Sequence, residues 1–224
     1  LWLRPAPEDT GIVFRRTDLG NFEIEAVRER VSRVVLATTL MKKGVMLSTV
    51  EHLLSALYGL GISNIYVDID SLEVPILDGS ALPFVEIVNG VGVQNQGQER
   101  TFLKVEKPFR LEADDKFISI EPADTFRITY EIDFTHPSIG QQKLDLEILP
   151  DKYSKEIAFA RTFGFYSEVE EMYKKGLIRG GSFENAVVLS DEGIMNGSLR
   201  SKDEFVRHKT LDLIGDISLC GYPL

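Results

Sequence analysis

Histidines with nearby carboxylates are the residues best suited to metal chemistry in this chain of 224 residues. His52 follows Glu51 directly, and His208 precedes Asp212 by four positions. Two imidazoles and a carboxylate are nitrogen and oxygen ligands that suit zinc, and they leave a further coordination position open, as a catalytic site requires. The sequence therefore predicts a Zn²⁺ site formed by His52, His208 and Asp212, with the histidine nitrogens within about 5 Å of each other. The remaining histidine, His136, has no carboxylate at ligand spacing and is predicted to be structural.

Glu51 lies beside a predicted ligand without being needed as one. Zinc acidifies water, but a base within hydrogen-bonding reach must still accept the proton, and Glu51 is placed for that role. A structural alternative explains the same residue, because Ser48 followed three positions later by Glu51 fits a capping box. His52, in the first turn of the predicted helix, lies near the positive end of the helix dipole, which would disfavour the imidazolium form and leave a neutral ligand. Spacing alone leaves both interpretations of Glu51 open.

The second ligand segment has helical spacing. Residues four positions apart lie one turn from each other, so His208, Asp212 and Asp216 form one polar line on a predicted helix. Such spacing is also typical of an exposed ion pair. Metal binding is favoured because two of the three histidines fall in helices that carry carboxylates, and Asp216 is expected to orient a ligand from outside the coordination sphere. The apolar stripe of this helix is predicted to be Val206, Leu213, Ile217 and Cys220.

Two distant helices must meet to form this site, and hydrophobic periodicity predicts the scaffold. The polar stretch 95–100 separates two predicted domains, 1–97 and 98–224. In the first, strands are predicted at 12–16, 34–40 and 65–69, and helices at 48–60 and 80–91. In the second, strands are predicted at 102–107, 117–121, 126–134, 143–149 and 186–189, and helices at 154–160, 167–175 and 203–219. The expected fold class is α+β: two tandem similar domains, each a mixed β-sheet layered with helices, with the active site at their interface.

Composition excludes several classes of protein. Twenty-five Lys and Arg against 35 Asp and Glu give a net charge of −10, which repels a phosphate backbone, so no nucleic-acid partner is expected. No apolar run reaches the roughly 18 to 20 residues of a transmembrane helix. The single cysteine, Cys220, suits a reducing cytoplasm and is expected to be a small buried hydrophobe. The sequence starts at Leu1 without a methionine and stops directly after a predicted helix, so a longer chain is expected at both ends. A monomer is also expected.

Five segments, in order, carry a specific resemblance to a known family. The segments are Ser48-Thr49-Val50-Glu51-His52-Leu53, Glu73-Val74-Pro75-Ile76-Leu77-Asp78-Gly79-Ser80-Ala81, Ala160-Arg161-Thr162-Phe163-Gly164-Phe165, Gly180-Gly181-Ser182, and Arg207-His208-Lys209 with Asp212, Gly215 and Asp216. They resemble segments of the zinc-dependent UDP-3-O-acyl-N-acetylglucosamine deacetylases of lipid A biosynthesis, and the resemblance runs from Leu3 almost to the last residue. It implies hydrolytic removal of the N-acetyl group from a nucleotide sugar that carries an acyl chain, with release of acetate and with zinc on His52, His208 and Asp212.

The resemblance also implies roles for single residues. Glu51 matches the family's base, Thr162 matches the residue that helps to hold the oxyanion, and Lys209 matches one that binds polar groups of the substrate. A hydrophobic passage for the acyl chain is implied near 163–182, through Phe163, Tyr166, Val169, Tyr173, Ile178 and Gly181. The same apolar residues would also suit an ordinary core-facing helix and strand. Segment 73–81 has its own structural explanation, as a turn at Asp78-Gly79 followed by a helix cap at Ser80.

Two motifs of the family are not among these 224 residues. One is an upstream Gly-x-Gly-x-His-Ser/Thr-Gly pattern, and the other is a downstream Gly-His-Ser/Ala-Leu-Asn motif whose histidine assists protonation of the leaving amine. Three alternatives therefore stand beside the deacetylase: a related zinc amidohydrolase acting on another N-acyl sugar, a catalytically incomplete fragment with a zinc site, and a structural zinc site in an interaction domain. A structural site normally closes with a fourth protein ligand, and the absence of cysteine clusters argues against it.

Overall fold

The computed structural model describes residues 1–34, 37–167 and 182–224, and these residues form an α+β fold, as the sequence predicted. The main sheet of the first half has the order β1-β7-β2-β3, in which β7 runs antiparallel to β1 and parallel to β2. Its strands are β1 (Trp2–Pro5), β2 (Ile12–Arg16), β3 (Phe22–Glu25) and β7 (Ile65–Ile69). Phe14 pairs with Ile24 on one side and Val67 on the other, and all three are fully buried. This row is the sheet's contribution to the core.

A smaller antiparallel sheet and two helices complete the first half. The sheet consists of β4 (Val31–Val34), β5 (Thr38–Lys42) and β6 (Val45–Leu47). The helices are α1 (Glu51–Gly59) and α2 (Leu82–Val91), and one-turn 3-10 helices occupy Thr17–Leu19 and Arg28–Arg30. In α1 every residue except Tyr58 is buried. Such a helix must be covered on all sides.

The second half supplies the cover for α1. Its described elements are β8 (Phe109–Ala113), β9 (Lys116–Ile120), β10 (Arg127–Asp133), β11 (Gln141–Glu147), α3 (Pro150–Glu156), β12 (Phe163–Phe165), β13 (Val187–Ser190), β14 (Gly193–Ile194) and α4 (Glu204–Ser218). Strands β8 with β9 and β10 with β11 form antiparallel pairs, while β12 runs parallel to β13. One hydrophobic cluster contains buried residues of both halves. Within the described parts of the chain, no helix is both long enough and apolar enough to cross a membrane.

Two glycines set the contact between the halves. A Cβ on Gly215 of α4 would lie 2.2 Å from the carbonyl oxygen of Glu51, and a Cβ on Gly59 of α1 would lie 2.3 Å from the ring of Tyr153. No side chain fits at either position. Helix α4 therefore contacts the backbone of the first turn of α1. The ring of Tyr153, from α3, packs against Gly59 at the C-terminal end of α1, and its hydroxyl donates to Ser55 Oγ at 2.9 Å.

Several predicted elements differ from the structure. The predicted strand 34–40 is two antiparallel strands, β4 and β5, and residues 102–107 form no strand, because the hairpin begins only at Phe109. The predicted helix 154–160 begins earlier, at Pro150, whose fixed φ suits a first helical turn. The predicted helices 48–60 and 80–91 begin later, at Glu51 and Leu82. Most of the predicted helix 167–175 lies outside the described residues.

The predicted apolar stripe of α4 is wrong in part. The helix ends at Ser218, so Cys220 lies beyond it and is exposed rather than buried. Leu213 and Ile217 are only partly buried, whereas Phe205, Leu211 and Ile214 fill the core together with Val206. Because α1 packs closely against α4, the buried arc is wider and rotated relative to the predicted stripe.

Candidate metal centre

Helices α1 and α4 bring His52, His208 and Asp212 together. His52 is the second residue of α1, while His208 and Asp212 lie one turn apart on α4. One ligand atom from each lies within 4.8 Å of the others, which meets the distance predicted from the sequence. The Nε2 atoms of His52 and His208 are 3.6 and 3.3 Å from Asp212 Oδ1, and the two rings are perpendicular. Three potential donor atoms therefore converge on one small volume.

The donor set fits a metal ion. Asp212 Oδ1 is buried and has no hydrogen-bond partner among the described residues, and both imidazole nitrogens are too distant from it for a good hydrogen bond. His208 Nδ1 lies 3.1 Å from the carbonyl oxygen of Ala160, to which it can only donate, so the lone pair of Nε2 faces Asp212. A buried carboxylate oxygen without a hydrogen-bond donor, which faces the His208 lone pair and lies 3.6 Å from His52 Nε2, suits a cation between them.

The electrostatics of His208 and Asp212 favour their ligand forms. Burial alone would lower the pKa of His52, but Asp212 and Glu51 outweigh it and raise that pKa, contrary to the sequence prediction of a neutral ring. Burial lowers the pKa of His208 to about 4, although Asp212 opposes the shift, so this imidazole is neutral near pH 7. Burial alone would raise the pKa of Asp212, but His208, His52 and Lys209 outweigh it and hold that pKa well below its usual range. Neutral imidazole and ionised carboxylate are the forms that coordinate metals.

Glu51 is a buried carboxylate at the first position of α1, held by β5. Its Oε2 accepts a hydrogen bond from the backbone N–H of Thr38 at 3.0 Å. Burial raises the pKa of Glu51 to about 7; His52 opposes this shift and Asp212 adds to it. The carboxylate therefore has one anchored oxygen and a proton affinity suited to exchange near neutral pH.

The capping-box interpretation of Glu51 is wrong. Val50 is the N-cap, and no side chain caps this helix. Thr49 has a φ of +59°, which breaks the helical path between Ser48 and Glu51, and Ser48 Oγ instead lies 3.1 Å from Thr39 Oγ1. Because Glu51 takes the first helical position rather than the third, its side chain does not turn back to the preceding loop.

Thr38 also joins Glu51 to Asp216. Its hydroxyl donates to Asp216 Oδ1 at 2.7 Å while its N–H holds Glu51. Burial raises the pKa of Asp216 and Asp212 adds to the shift, although the bond from Thr38 opposes it. On the other side, Lys209 Nζ donates to Asp212 Oδ2 at 2.8 Å. Asp216 and Lys209 thus both contact residues at the candidate centre.

Comparisons with known proteins show the family of this chain. The family model described as UDP-3-O-acyl N-acetylglycosamine deacetylase matches residues 1–224. The chain belongs to that family. A relative from Solibacter usitatus, named UDP-3-O-acyl-N-acetylglucosamine deacetylase, is 49% identical over 221 residues, covering 98% of this chain and 75% of the relative. A relative from Oleidesulfovibrio alaskensis with the same name is 48% identical over 226 residues, covering 100% of this chain and 74% of the relative.

In this member of the deacetylase family, Thr162 lies where several segments join. Its N–H donates to Gly79 O and its carbonyl accepts from Val187 N, both at 2.8 Å. Gly79 has a φ of +85° in the turn that the sequence predicted, and a Cβ there would lie 1.8 Å from Asn185 O. Ser80 Oγ accepts from Leu82 N–H at 3.2 Å, at the start of α2. Segment 73–81 is therefore both a turn and part of the support of Thr162.

The acyl passage implied by the resemblance is only partly described. Phe163 packs 4.9 Å from Phe205 and 6.3 Å from His208, measured between ring centroids, and Tyr166 is exposed. Val169, Tyr173, Ile178 and Gly181 lie outside the described residues.

His136 has the structural contacts expected of it, with Nε2 2.7 Å from Ser190 O and Nδ1 accepting from Ser138 N–H.

Three residues around the candidate centre were missed from the sequence. Ala160 holds His208 and Thr38 holds Glu51 through backbone atoms, which no residue type signals, and the Thr38 hydroxyl also bonds Asp216. Glu204, which is fully buried beneath the His208 turn, had a signal: it stands four positions before His208 and so extends the polar line of Asp216, Asp212 and His208.

Proposed function

We propose that this chain is a zinc-dependent deacetylase that hydrolyses the N-acetyl group of UDP-3-O-acyl-N-acetylglucosamine in lipid A biosynthesis. The observation that carries the proposal is the convergence of His52, His208 and Asp212 beside the buried carboxylate of Glu51 in a member of this family. Both relatives described above bear the name of that activity. Acetate and a free amine would be the products.

His52, His208 and Asp212 would hold the zinc ion through Nε2, Nε2 and Oδ1. Zinc, when bound, acidifies water and polarises a carbonyl oxygen. The mixed nitrogen and oxygen donor set supports zinc as the native ion, and the group found in the described residues has three members. Three protein ligands leave room for water and substrate, which favours a catalytic over a structural site.

Glu51 would act as the general base. The Thr38 N–H holds Oε2, so Oε1 is the oxygen that accepts the proton from the attacking water. The water oxygen would add to the amide carbon, and the C–N bond would then break as the nitrogen takes up the proton that Glu51 had accepted, so that acetate and the free amine leave. Asp216 would position this base through Thr38, which binds both carboxylates.

Thr162 and Lys209 would serve the substrate. The hydroxyl of Thr162, on a backbone held at both its N–H and its carbonyl, would donate to the oxyanion as it develops. The ammonium of Lys209 is partly exposed and would bind polar groups of the nucleotide sugar. Phe163 and Tyr166, followed by Val169, Tyr173, Ile178 and Gly181, would form the acyl passage.

The same proposal includes a domain division at 97/98, with the site between the two halves. It also includes a cytoplasmic location, which the single cysteine suggests.

Removing a ligand tests the metal site. We expect His208→Ala and Asp212→Ala each to lower zinc affinity more than about 100-fold, beyond the 10–100-fold loss typical of residues outside the coordination sphere. Zinc content after dialysis and competition with a chromophoric chelator measure this. His136→Gln is the matched control, because it removes a histidine whose hydrogen bonds are to the backbone of other segments and should leave zinc binding unchanged. Unchanged zinc content in the ligand variants would refute the assignment.

Substrate choice separates the two amidohydrolase candidates. We expect release of acetate from UDP-3-O-acyl-N-acetylglucosamine to exceed release from UDP-N-acetylglucosamine, which lacks the acyl chain. The observation behind the second candidate is that the zinc ligands and Glu51 alone do not select an acyl chain. Equal rates on both nucleotide sugars would favour the related amidohydrolase.

A further inference from the structure

Glu204 is a fully buried carboxylate for which the proposed chemistry has no role. It is the first residue of α4, and both of its oxygens accept hydrogen bonds. Oε1 accepts from the backbone N–H and the Nε of Arg161 at 3.0 and 2.9 Å. Oε2 accepts from Arg161 Nη2 at 3.1 Å and from the backbone N–H of Arg200 at 2.6 Å. A buried anion with this many donors holds its surroundings in one arrangement.

One of these donors belongs to the peptide group that holds His208. The N–H of Arg161 and the C=O of Ala160 are parts of the same peptide, which is trans, so they point in opposite directions. The N–H donates to Glu204, and the C=O accepts from His208 Nδ1 at 3.1 Å. Glu204 and His208 lie one turn apart on α4. A single peptide plane is therefore held at both edges by side chains of the same helix.

We propose that Glu204 is a positioning residue that acts through the Ala160–Arg161 peptide to fix His208 as a metal ligand. Its consequence for the metal rests on the proposed zinc site. Donation of the N–H to an anion polarises the amide and makes its carbonyl a stronger acceptor. That acceptor holds the proton on Nδ1, which leaves the Nε2 lone pair for the metal and increases its basicity.

A purely structural role for Glu204 makes a different prediction. If the carboxylate only neutralised Arg161, any change to the ion pair would alter stability and nothing else. Arg161→Lys separates the two roles, because it removes the guanidinium but retains a positive charge and the backbone N–H that reaches Glu204. It is the matched control for Glu204→Gln. The amide of that glutamine has only one acceptor oxygen, and its NH2 group faces the N–H donors of Arg161 or Arg200 instead of accepting hydrogen bonds from them.

Two measurements test the proposal. Nitrogen-15 NMR of the metal-free protein with labelled histidine, at alkaline pH where histidine is neutral, reports the tautomer of each of the three rings. We expect His208 of the unmodified protein to carry its proton on Nδ1, and Glu204→Gln to give a mixture of tautomers. Zinc affinity, measured by chelator competition, should fall about 10–100-fold in Glu204→Gln. In Arg161→Lys both properties should stay near those of the unmodified protein, even where the melting temperature falls.

The outcomes separate this proposal from the proposed function. A Glu204→Gln variant that keeps the Nδ1–H tautomer and the original zinc affinity would overturn it, as would an Nε2–H tautomer of His208 in the unmodified protein. Failure of the unmodified protein to bind zinc would refute the proposed function, whereas the tautomer measurement would still decide the role of Glu204. If Glu204→Gln does not fold, Glu204→Asp withdraws the carboxylate by one methylene group and should also weaken the Nδ1–H form; an unchanged tautomer there overturns the proposal.

Discussion

At the scale of single residues, the candidate ligands were predictable from the sequence and their supports were not. Scarcity of histidine and helical spacing favour His52, His208 and Asp212, and the structure brings these three together. The hydrogen bond that holds Glu51 was not predictable, because Thr38 is 13 residues away and donates through its backbone N–H. The positive φ of Thr49, which removes the capping box, also has no signature in residue type. Residues that act through main-chain atoms become visible only in the fold.

Glu51→Gln isolates the chemistry of this carboxylate. The amide oxygen can still accept the N–H of Thr38, but the side chain can no longer take a proton from water. We expect zinc content and thermal stability close to those of the unmodified protein and a fall in kcat on the order of 10²- to 10⁴-fold. All three quantities are measured on one preparation, since loss of zinc would implicate the metal site instead.

Ser48→Ala is the control for that experiment. Ser48 is the other residue of the supposed capping box, yet its hydroxyl contacts only that of Thr39 among the described residues. We expect this variant to deacetylate at nearly the original rate. A Glu51→Gln enzyme with a rate within a few-fold of the unmodified protein would remove Glu51 from the mechanism.

At the scale of elements, the existence of α1 and α4 was predictable and their contact was not. Apolar residues at helical spacing predict each helix, but the close approach depends on Gly215 meeting a backbone from the other half. The alternating pattern at 102–107 led to a wrong strand, because alternation indicates two faces and does not supply a partner strand. The ends of elements moved where proline or a positive φ set the boundary, as at Pro150 and Thr49.

Gly215→Ala tests whether this contact assembles the metal centre. The new methyl group would lie 2.2 Å from the Glu51 carbonyl oxygen and 2.9 Å from its carbon, so the first turn of α1 must move away from α4. His52 moves with it, while His208 and Asp212 stay on α4. We expect zinc affinity to fall at least about tenfold, of the order seen when the supports of a metal ligand are disturbed, together with the melting temperature.

Gly90→Ala provides the matched control for that substitution. Gly90 lies in α2, and a Cβ there would have no atom within 4 Å. Alanine is favoured over glycine in a helix interior by about 1 kcal/mol, so this variant should be neutral or slightly stabilised and should bind zinc normally. If Gly215→Ala behaved like Gly90→Ala, the close packing of α1 and α4 would not govern the geometry of the ligands.

At the scale of the whole molecule, the two predicted domains share their interior. The hydrophobic cluster runs from the sheet of the first half, through α1, to α3, α4 and β13 of the second half. Leu224 N–H also donates to Tyr58 Oη, and Arg28 N–H donates to the Leu219 carbonyl. The sequence predicted a boundary because residues 95–100 are polar, but polarity of a connecting segment does not report how much apolar surface lies between the units it joins.

A shared interior predicts that the halves unfold together, and matched leucines test this. Leu40 of β5 and Leu189 of β13 are both fully buried, one in each half. Leu→Ala at such sites lowers the free energy of unfolding by about 2–5 kcal/mol, which lowers the melting temperature of a chain this long by roughly 5–15 °C.

Pulsed hydrogen exchange at rising denaturant, read by mass spectrometry, follows peptides from β2 and β10 separately. If the two halves form one cooperative unit, each substitution shifts the transitions of both peptides by the same denaturant concentration, because a loss of free energy anywhere destabilises the whole. Leu189→Ala shifting the β10 transition while β2 stays in place would instead establish two independently unfolding domains, with the metal centre assembled where they meet.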